Sequence, residues 1–447
     1  MIPVVTPDEM KAVDQAAPEP TEVLVRRAGA SVARAALRLL GGGYGRRVVV
    51  VAGKGNNGAD GRAAAERLRR RGARVVVIPA AEAPARVPPC HLVVDAAYGT
   101  GLHGDYRAPD PAGAPVVAVD IPSGVDGLTG QAGDGAVSAT ATVTFAALKP
   151  GLLLGDGPGR AGGVEVVDIG LDVSGARTHL VEDADVRDRL PQRPREAHKW
   201  QTAVFVVAGS PGMMGAPVLA SRAAMRAGAG YVQLGVPGAP LEHLPAGSEV
   251  VGVALPREGW AAEVLRQAGR AKALVVGPGL GRAEGTLGEV RRLLEGSPVP
   301  VVVDGDGLAA LHGAQPLQSR RVVLTPHDGE FERLAGAEPG PDRIGDTRAL
   351  AADTGAVVLL KGPTTVVAGP GGDVFLSTSG SPRLATAGTG DVLCGVIAAF
   401  VAQGTGALWG AALGAHAHGA AAALGPSRGL VAGDLVDLVA AWLSDRA

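Results

Sequence analysis

Arg47-Val48-Val49-Val50-Val51-Ala52 runs directly into Gly53-Lys54-Gly55-Asn56-Asn57-Gly58-Ala59-Asp60-Gly61. An unbroken apolar run is a strand buried on both faces, and a glycine-rich turn opening a helix is how a parallel sheet begins its crossover. The surrounding pattern repeats that unit. A helix is expected over 21–40 before the strand, and one over 60–71 with a basic outer face after the turn. Further strands are expected over 74–78, 91–95 and 115–121. Apolar strands alternating with helices predict an α/β chain with parallel sheets.

The alternation stops near Leu190-Pro191-Gln192-Arg193-Pro194-Arg195-Glu196, which is polar, proline-marked and aperiodic. It restarts at Val204 to Ala208, followed by a helix over 216–227 and strands ending at Val276, Val303, Leu324 and Leu360. The division expected is therefore a first domain over 1–185, a linker over 186–198 and a second domain over 199–447. Ligands of such sheets bind at the carboxyl ends of the strands, so the loops there are where chemistry is sought.

Composition narrows the function. The 42 Lys and Arg nearly cancel 44 Asp and Glu, for a net charge of −2 over 447 residues, so no global field exists to capture nucleic acid. The 68 glycines and 33 prolines punctuate apolar runs rather than cluster. Cys90 and Cys394 have no ligand spacing, and no uninterrupted apolar stretch is long enough to cross a bilayer. A cytoplasmic protein with no membrane partner is expected.

The first glycine-rich turn satisfies G-x-G-x-x-G, but Val75-Val76-Val77-Ile78-Pro79-Ala80 lacks the acidic residue that would take a ribose hydroxyl, which argues against ordinary NAD-dependent hydride transfer. Backbone amides at a helix start can still hold phosphate; equally, Asp60 can simply start the helix. Two more polar loops end strands, Asp95-Ala96-Ala97-Tyr98-Gly99-Thr100-Gly101 and Val119-Asp120-Ile121-Pro122-Ser123-Gly124-Val125-Asp126. Taken singly, Asp95 or Asp120 can serve as a local cap.

As a set, these loops resemble the NAD(P)H-hydrate epimerase family, and Phe145 to Leu171, with Lys149-Pro150-Gly151-Leu152 and Val167-Asp168-Ile169-Gly170, resembles that family's closing segment. The resemblance implies a Rossmann-like three-layer αβα sandwich. It implies a hydrate site of Asn56, Asn57, Gly58, Ala59 and Asp60, of Gly99, Thr100, Gly101, Leu102, His103, Gly104 and Asp105, and of Asp120. It also implies a potassium ion on Asn57, Asp95 and Ser123. Asp120 is the candidate acid/base, because epimerising the hydrated carbon moves protons as the hydroxyl leaves and returns.

The second half carries Ala385-Thr386-Ala387-Gly388-Thr389-Gly390-Asp391-Val392-Leu393-Cys394-Gly395, a glycine-rich loop entering an apolar helix. Amides of Gly388 to Gly390 suit a transferring phosphoryl group, and Asp391 in the first turn suits a base for a hydroxyl. Favourable interaction with the helix dipole is the alternative, worth about 0.3–1 kcal/mol. The motif resembles the ribokinase-like superfamily, which implies a second αβα domain with Asp391 as catalytic base. Thr325-Pro326-His327-Asp328-Gly329-Glu330, Lys361-Gly362-Pro363-Thr364-Thr365, Gly277-Pro278-Gly279-Leu280-Gly281 and Gly209-Ser210-Pro211-Gly212 resemble its NAD(P)H-hydrate dehydratase branch. That resemblance implies hydrate contacts from Ala216, Gly279, His327 and Asp391, and a nucleotide held by Lys361, Gly362, Pro363, Thr364, Thr365 and Gly390.

Together the resemblances imply a bifunctional enzyme acting on hydrated NADH and NADPH, with ADP as phosphoryl donor and ATP as the alternative. Magnesium is expected in the second domain, with Asp304, Asp306 and Glu330 as candidate ligands, and a homo-oligomer is expected. The rival reading is a ribokinase-like kinase of a vitamin precursor fused to a non-catalytic nucleotide-binding module.

Overall fold

The computed structural model describes residues 1–101, 106–243, 249–311, 313, 316–317 and 321–446. The chain forms two compact units, one of Ile2–Thr178 and one of His179–Ala447 with Met1. A helix over Asp183–Arg189 occupies the start of the segment expected as linker, and 190–198 contains neither helix nor strand.

After a three-residue strand over Ile2–Val4, the N-terminal unit forms helices α1 (Pro7–Gln15) and α2 (Thr21–Leu40). Strand β1 (Arg47–Ala52), helix α3 (Asn56–Arg70) and strands β2 (Arg74–Pro79), β3 (Leu92–Ala96), β4 (Val116–Val119), β5 (Ala141–Phe145) and β6 (Gly163–Val167) follow. All five pairings are parallel, in the order β2-β1-β3-β4-β5-β6. Strand order reverses between β1 and β3, which opens a crevice at their carboxyl ends. The three helices pack on one face with Val48, Val50, Val94 and Val117. The opposite face, with Val49, Val51, Val93 and Val116, packs largely against loop residues such as Val87, Tyr106 and Val137.

α3 starts at Asn56, four residues before the expected helix, so the Asn-Asn-Gly-Ala-Asp stretch is its first turn. Gly58 makes this possible, because a Cβ there would sit 1.9 Å from the carbonyl oxygen of Gly53.

In the C-terminal unit the strands are β7 (Thr178–Leu180), β8 (Ala203–Val207), β9 (Tyr231–Pro237), β10 (Val251–Leu255), β11 (Ala273–Val276), β12 (Val301–Val303), β13 (Val322–Leu324), β14 (Val357–Leu360), β15 (Thr365–Ala368) and β16 (Val374–Ser377). They are ordered β7-β16-β15-β14-β13-β12-β11-β8-β9-β10. From β14 to β10 every neighbour is parallel, while β15 pairs antiparallel with both β14 and β16. The carboxyl ends of β8, β11, β12, β13 and β14 therefore lie side by side, gathering the motif loops at one edge. Helices α4 (Gly215–Arg226), α5 (Asp328–Ala335), α6 (Thr389–Phe400) and α7 (Ala407–Ala422) place these loops, with α4, α6 and α7 packed on one sheet face through alanine, valine and leucine. Among the described residues no helix is long and apolar enough to cross a membrane.

Candidate active sites

In the N-terminal unit a cavity of about 660 Å³ occupies the crevice, bounded by α1, α2, the Gly53–Asp60 turn, Tyr98 to Gly101, Asp120 and Lys149. The structure thus brings Asn56, Asn57, Asp60, Gly99, Thr100, Gly101 and Asp120 to one place. Gly58 and Ala59 continue the same helical turn. Leu102, His103, Gly104 and Asp105 lie outside the described residues.

Asp120 has a left-handed backbone (φ 68°), a conformation that costs a non-glycine residue and that persists where surrounding structure imposes it. Its Oδ1 takes an ion pair from Lys149 Nζ at 2.7 Å and a hydrogen bond from Thr144 Oγ1 at 3.1 Å. Lys149 is 1 % exposed, and it also donates toward Thr144 Oγ1, the Phe145 carbonyl and the Ala147 carbonyl. Asp60, also buried, has no such cation: burial first, then the Asp120 and Asp14 carboxylates, push it up to about 8.

Of the three residues implied for potassium, Asn57 lines this cavity, while Asp95 and Ser123 lie behind its wall, where Ser123 Oγ accepts from the Tyr98 amide at 2.9 Å. Ser123 donates its amide to Asp95 Oδ2 at 2.8 Å and its hydroxyl to Oδ1 at 2.7 Å. Burial raises Asp95 to about 6, against the opposing effect of these hydrogen bonds and the Ala97 amide. Both polar side-chain atoms of Asn57 are buried without a partner among the described residues, a deficit that a ligand would satisfy. Gly99 links the two groups, since a Cβ on it would lie 3.5 Å from both Asn57 Cγ and Asp120 Oδ2.

In the C-terminal unit, Gly388 takes φ 89° to turn the chain into α6, whose first-turn amides have no helical acceptors. Asp391 projects from that turn. Burial first, then the Asp304 carboxylate, raise it to about 6 against the pull of Lys361. Lys361 lies between β14 and β15, and its Nζ meets the buried Asp304 at 2.5 Å. Burial works to lower the lysine pKa, but Asp304 more than offsets this and raises it. Thr325 Oγ1 donates to the same Asp304 oxygen at 2.7 Å. A Cβ on Gly390 would lie 3.4 Å from Lys361 Nζ and 3.5 Å from Asp304 Oδ2, so the pair sits against the glycine-rich loop.

His327 caps α5: Nδ1 accepts from the Gly329 amide at 3.1 Å, and Glu330 Oε2 accepts from the His327 amide at 3.0 Å. This puts the proton of the neutral tautomer on Nε2, which lies 3.5 Å from Glu330 Oε2 on a side chain 58 % exposed. Gly279 and Ala216 lie together, a Cβ on Gly279 falling 3.4 Å from Ala216 Cβ. Arg343 ties the His327 segment to the Lys361–Thr365 turn, pairing with Asp328 at 2.7 and 3.0 Å and donating to the Lys361 carbonyl at 3.1 Å. Thr364 is buried in that turn, and Gly362 faces Arg343, whose terminal nitrogen lies 3.2 Å from a Cβ built there; Pro363 and Thr365 complete it.

The three carboxylates considered for magnesium do not form a cluster. Asp304 is taken by Lys361 and Thr325, Asp306 receives the Gly281 amide and Arg282, and Glu330 closes the α5 cap. Among the described residues no group of three or more His, Cys, Asp or Glu is arranged to hold a metal.

Known proteins fall on the same two units. Residues 204–441 match the family model described as NAD(P)H-hydrate dehydratase, and 21–87 with 78–151 match the YjeF-related protein N-terminus. A bifunctional NAD(P)H-hydrate repair enzyme of Salinibacter ruber is 39% identical over 99% of this chain and 96% of its own length. One from Mycobacterium tuberculosis is 41% identical over 86% and 85%. The ADP/ATP-dependent NAD(P)H-hydrate dehydratase of Bacillus subtilis, co-crystallised with ATP and Mg2+, superimposes with a TM-score of 0.52 at 30% identity, covering 60% of this chain and 98% of that one.

Proposed function

The chain belongs to the bifunctional NAD(P)H-hydrate repair enzymes, and from that premise we propose that its N-terminal unit interconverts the R and S hydrates of NADH and NADPH. The C-terminal unit dehydrates the S hydrate with ADP, giving AMP and phosphate.

Hydroxide leaves the hydrated ring poorly and phosphate leaves well. Asp391 takes the proton of the C6 hydroxyl as its oxygen attacks the terminal phosphorus of the nucleotide, whose bridging oxygen departs with AMP. Phosphate then leaves C6, and the neighbouring ring carbon gives up its proton to the departing phosphate, which restores the ring double bond. The orphaned amides at the start of α6 face the charge that develops on the phosphoryl group. Exposed Nε2–H of His327 and the surface formed by Ala216 and Gly279 receive the hydrate, and the turn from Lys361 to Thr365, with Gly390, receives the nucleotide. The observation carrying this reading is Asp391, raised to about 6 by burial and the Asp304 carboxylate and seated in the first turn of α6, whose amides lack helical acceptors.

Magnesium is normally held by one or two carboxylates together with substrate phosphates. The carboxylates here are engaged by Lys361, Thr325, Arg282 and the α5 cap, so magnesium would arrive with the nucleotide's phosphates, and no step is assigned to it.

In the N-terminal unit Asp120 is the acid/base: as the hydroxyl leaves the ring carbon and water adds to the other face, its carboxylate takes a proton from the incoming water and passes it to the departed hydroxide. The buried, unpartnered Asn57 amide, with Asp95 and Ser123, offers oxygen donors suited to potassium, which would neutralise charge beside this step.

The test is incubation of purified S hydrate with the protein and ADP or ATP, following the return of dihydronicotinamide absorbance and release of AMP or ADP. Recovery is expected, faster with ADP. No recovery, together with phosphorylation of a pyrimidine alcohol, would establish the vitamin-precursor kinase instead.

A further inference from the structure

A buried ammonium needs a reason, because desolvating it costs several kcal/mol unless partners compensate. Lys149 has four acceptors in reach: Asp120 Oδ1, Thr144 Oγ1, and the carbonyls of Phe145 and Ala147. Ala146, between those two carbonyls, has φ 62°. Asp120 and Ala146 are two of only three non-glycine residues with positive φ among those described. Both therefore hold strained backbone around one ammonium. The asymmetry of the carboxylate is also informative. Oδ1 is held by Lys149 and Thr144, whereas Oδ2 lies toward Gly99 on the cavity wall.

We propose that Lys149 is the positioning residue of the N-terminal site: it pins Oδ1 of Asp120, with Thr144 as second clamp, so that Oδ2 alone is presented to the hydrated ring. The proposal rests on the epimerase reading above. The other carboxyl and amino side chains around this cavity are Lys54 on the glycine-rich turn, Asp14 on α1 and Asp60 on α3, and among the described residues none is ion-paired with Lys149 or Asp120.

The experiment supplies R hydrate alone, without nucleotide, and measures appearance of S above the spontaneous rate. Lys149→Met should lower kcat about 100-fold while KM stays within about threefold, with dehydration of S hydrate unchanged. Added to Asp120→Asn, the same substitution should cost nothing further, because the pair acts as one unit. Thr144→Val, which keeps the side chain's shape, should lower kcat about fivefold at constant KM and decides the matter if Lys149→Met does not fold. The proposal is overturned if both single variants stay within about twofold of wild type, or if the Lys149 and Asp120 effects multiply. Wild type that never exceeds the spontaneous rate defeats the epimerase reading itself, and the proposal with it.

Discussion

Each unit sets a buried or part-buried lysine against a buried or half-buried aspartate beside a glycine-rich helix start, yet the two pairs stand differently to the chemistry. In the N-terminal unit Lys149 grips Asp120, the carboxylate assigned to the reaction. In the C-terminal unit Lys361 grips Asp304, a neighbour, while Asp391, without an ion-pair partner among the described residues, is raised to about 6. The difference teaches that a buried ion pair can serve two ends. It can fix the orientation of a working carboxylate, or it can set the field in which another one titrates. A base that must collect a proton near neutrality gains from the second arrangement.

The contrast can be broken most severely at Asp391. Asp391→Asn should lower ADP-dependent recovery of absorbance from S hydrate by about 10³-fold or more, with R to S conversion unchanged. Full dehydration by that variant would remove the basis for the C-terminal assignment. Asp304→Asn strands the Lys361 charge in the interior and should destabilise the C-terminal unit by about 3–5 kcal/mol. Chemical denaturation should show this as a midpoint shift; an unshifted curve would mean that the pair does not anchor the site.

The titrations sharpen the comparison further. Since Asp391 must be ionised to act and sits at about 6, kcat for dehydration should fall about tenfold per pH unit below that value and level off above it. A profile flat to pH 5 would contradict the assignment. Asp60 gives a smaller effect. Its folded-state pKa of about 8 lies above the ordinary carboxylate value, so ionisation favours the unfolded chain, and stability is lost as pH rises from about 4 to about 8. Asp60→Asn should therefore raise Tm, by an amount equivalent to about 1–3 kcal/mol at pH 8 and near zero at pH 4; equal gains at both pH values would refute the cause given.

Much of this was legible in the chain. The run Val48-Val49-Val50-Val51 and its turn locate β1 and the crevice, and the expected helix over 21–40 matches Thr21–Leu40. Position 56 was less legible as a helix start, since two asparagines and a glycine suggest a loop; close approach of Gly58 to the Gly53 carbonyl outweighs their poor helix propensity. Lys149 was visible only as part of a closing segment. Its signal was a lone charge within Phe145-Ala146-Ala147-Leu148-Lys149-Pro150-Gly151-Leu152, where burial demands a counter-ion. Which carboxylate supplies it depends on a contact 29 residues away in sequence, between β4 and the end of β5. Asp304 likewise reads as a strand-end metal candidate, and only the sheet order that brings β14 within reach of β12 reveals Lys361 as its partner.

Separate supply of R and S hydrates to Asp120→Asn, with ADP present, tests the division of labour most directly. The account predicts wild-type repair of S, and repair of R no faster than it epimerises spontaneously. Undiminished repair of R, or loss of both activities in a folded protein, would contradict it.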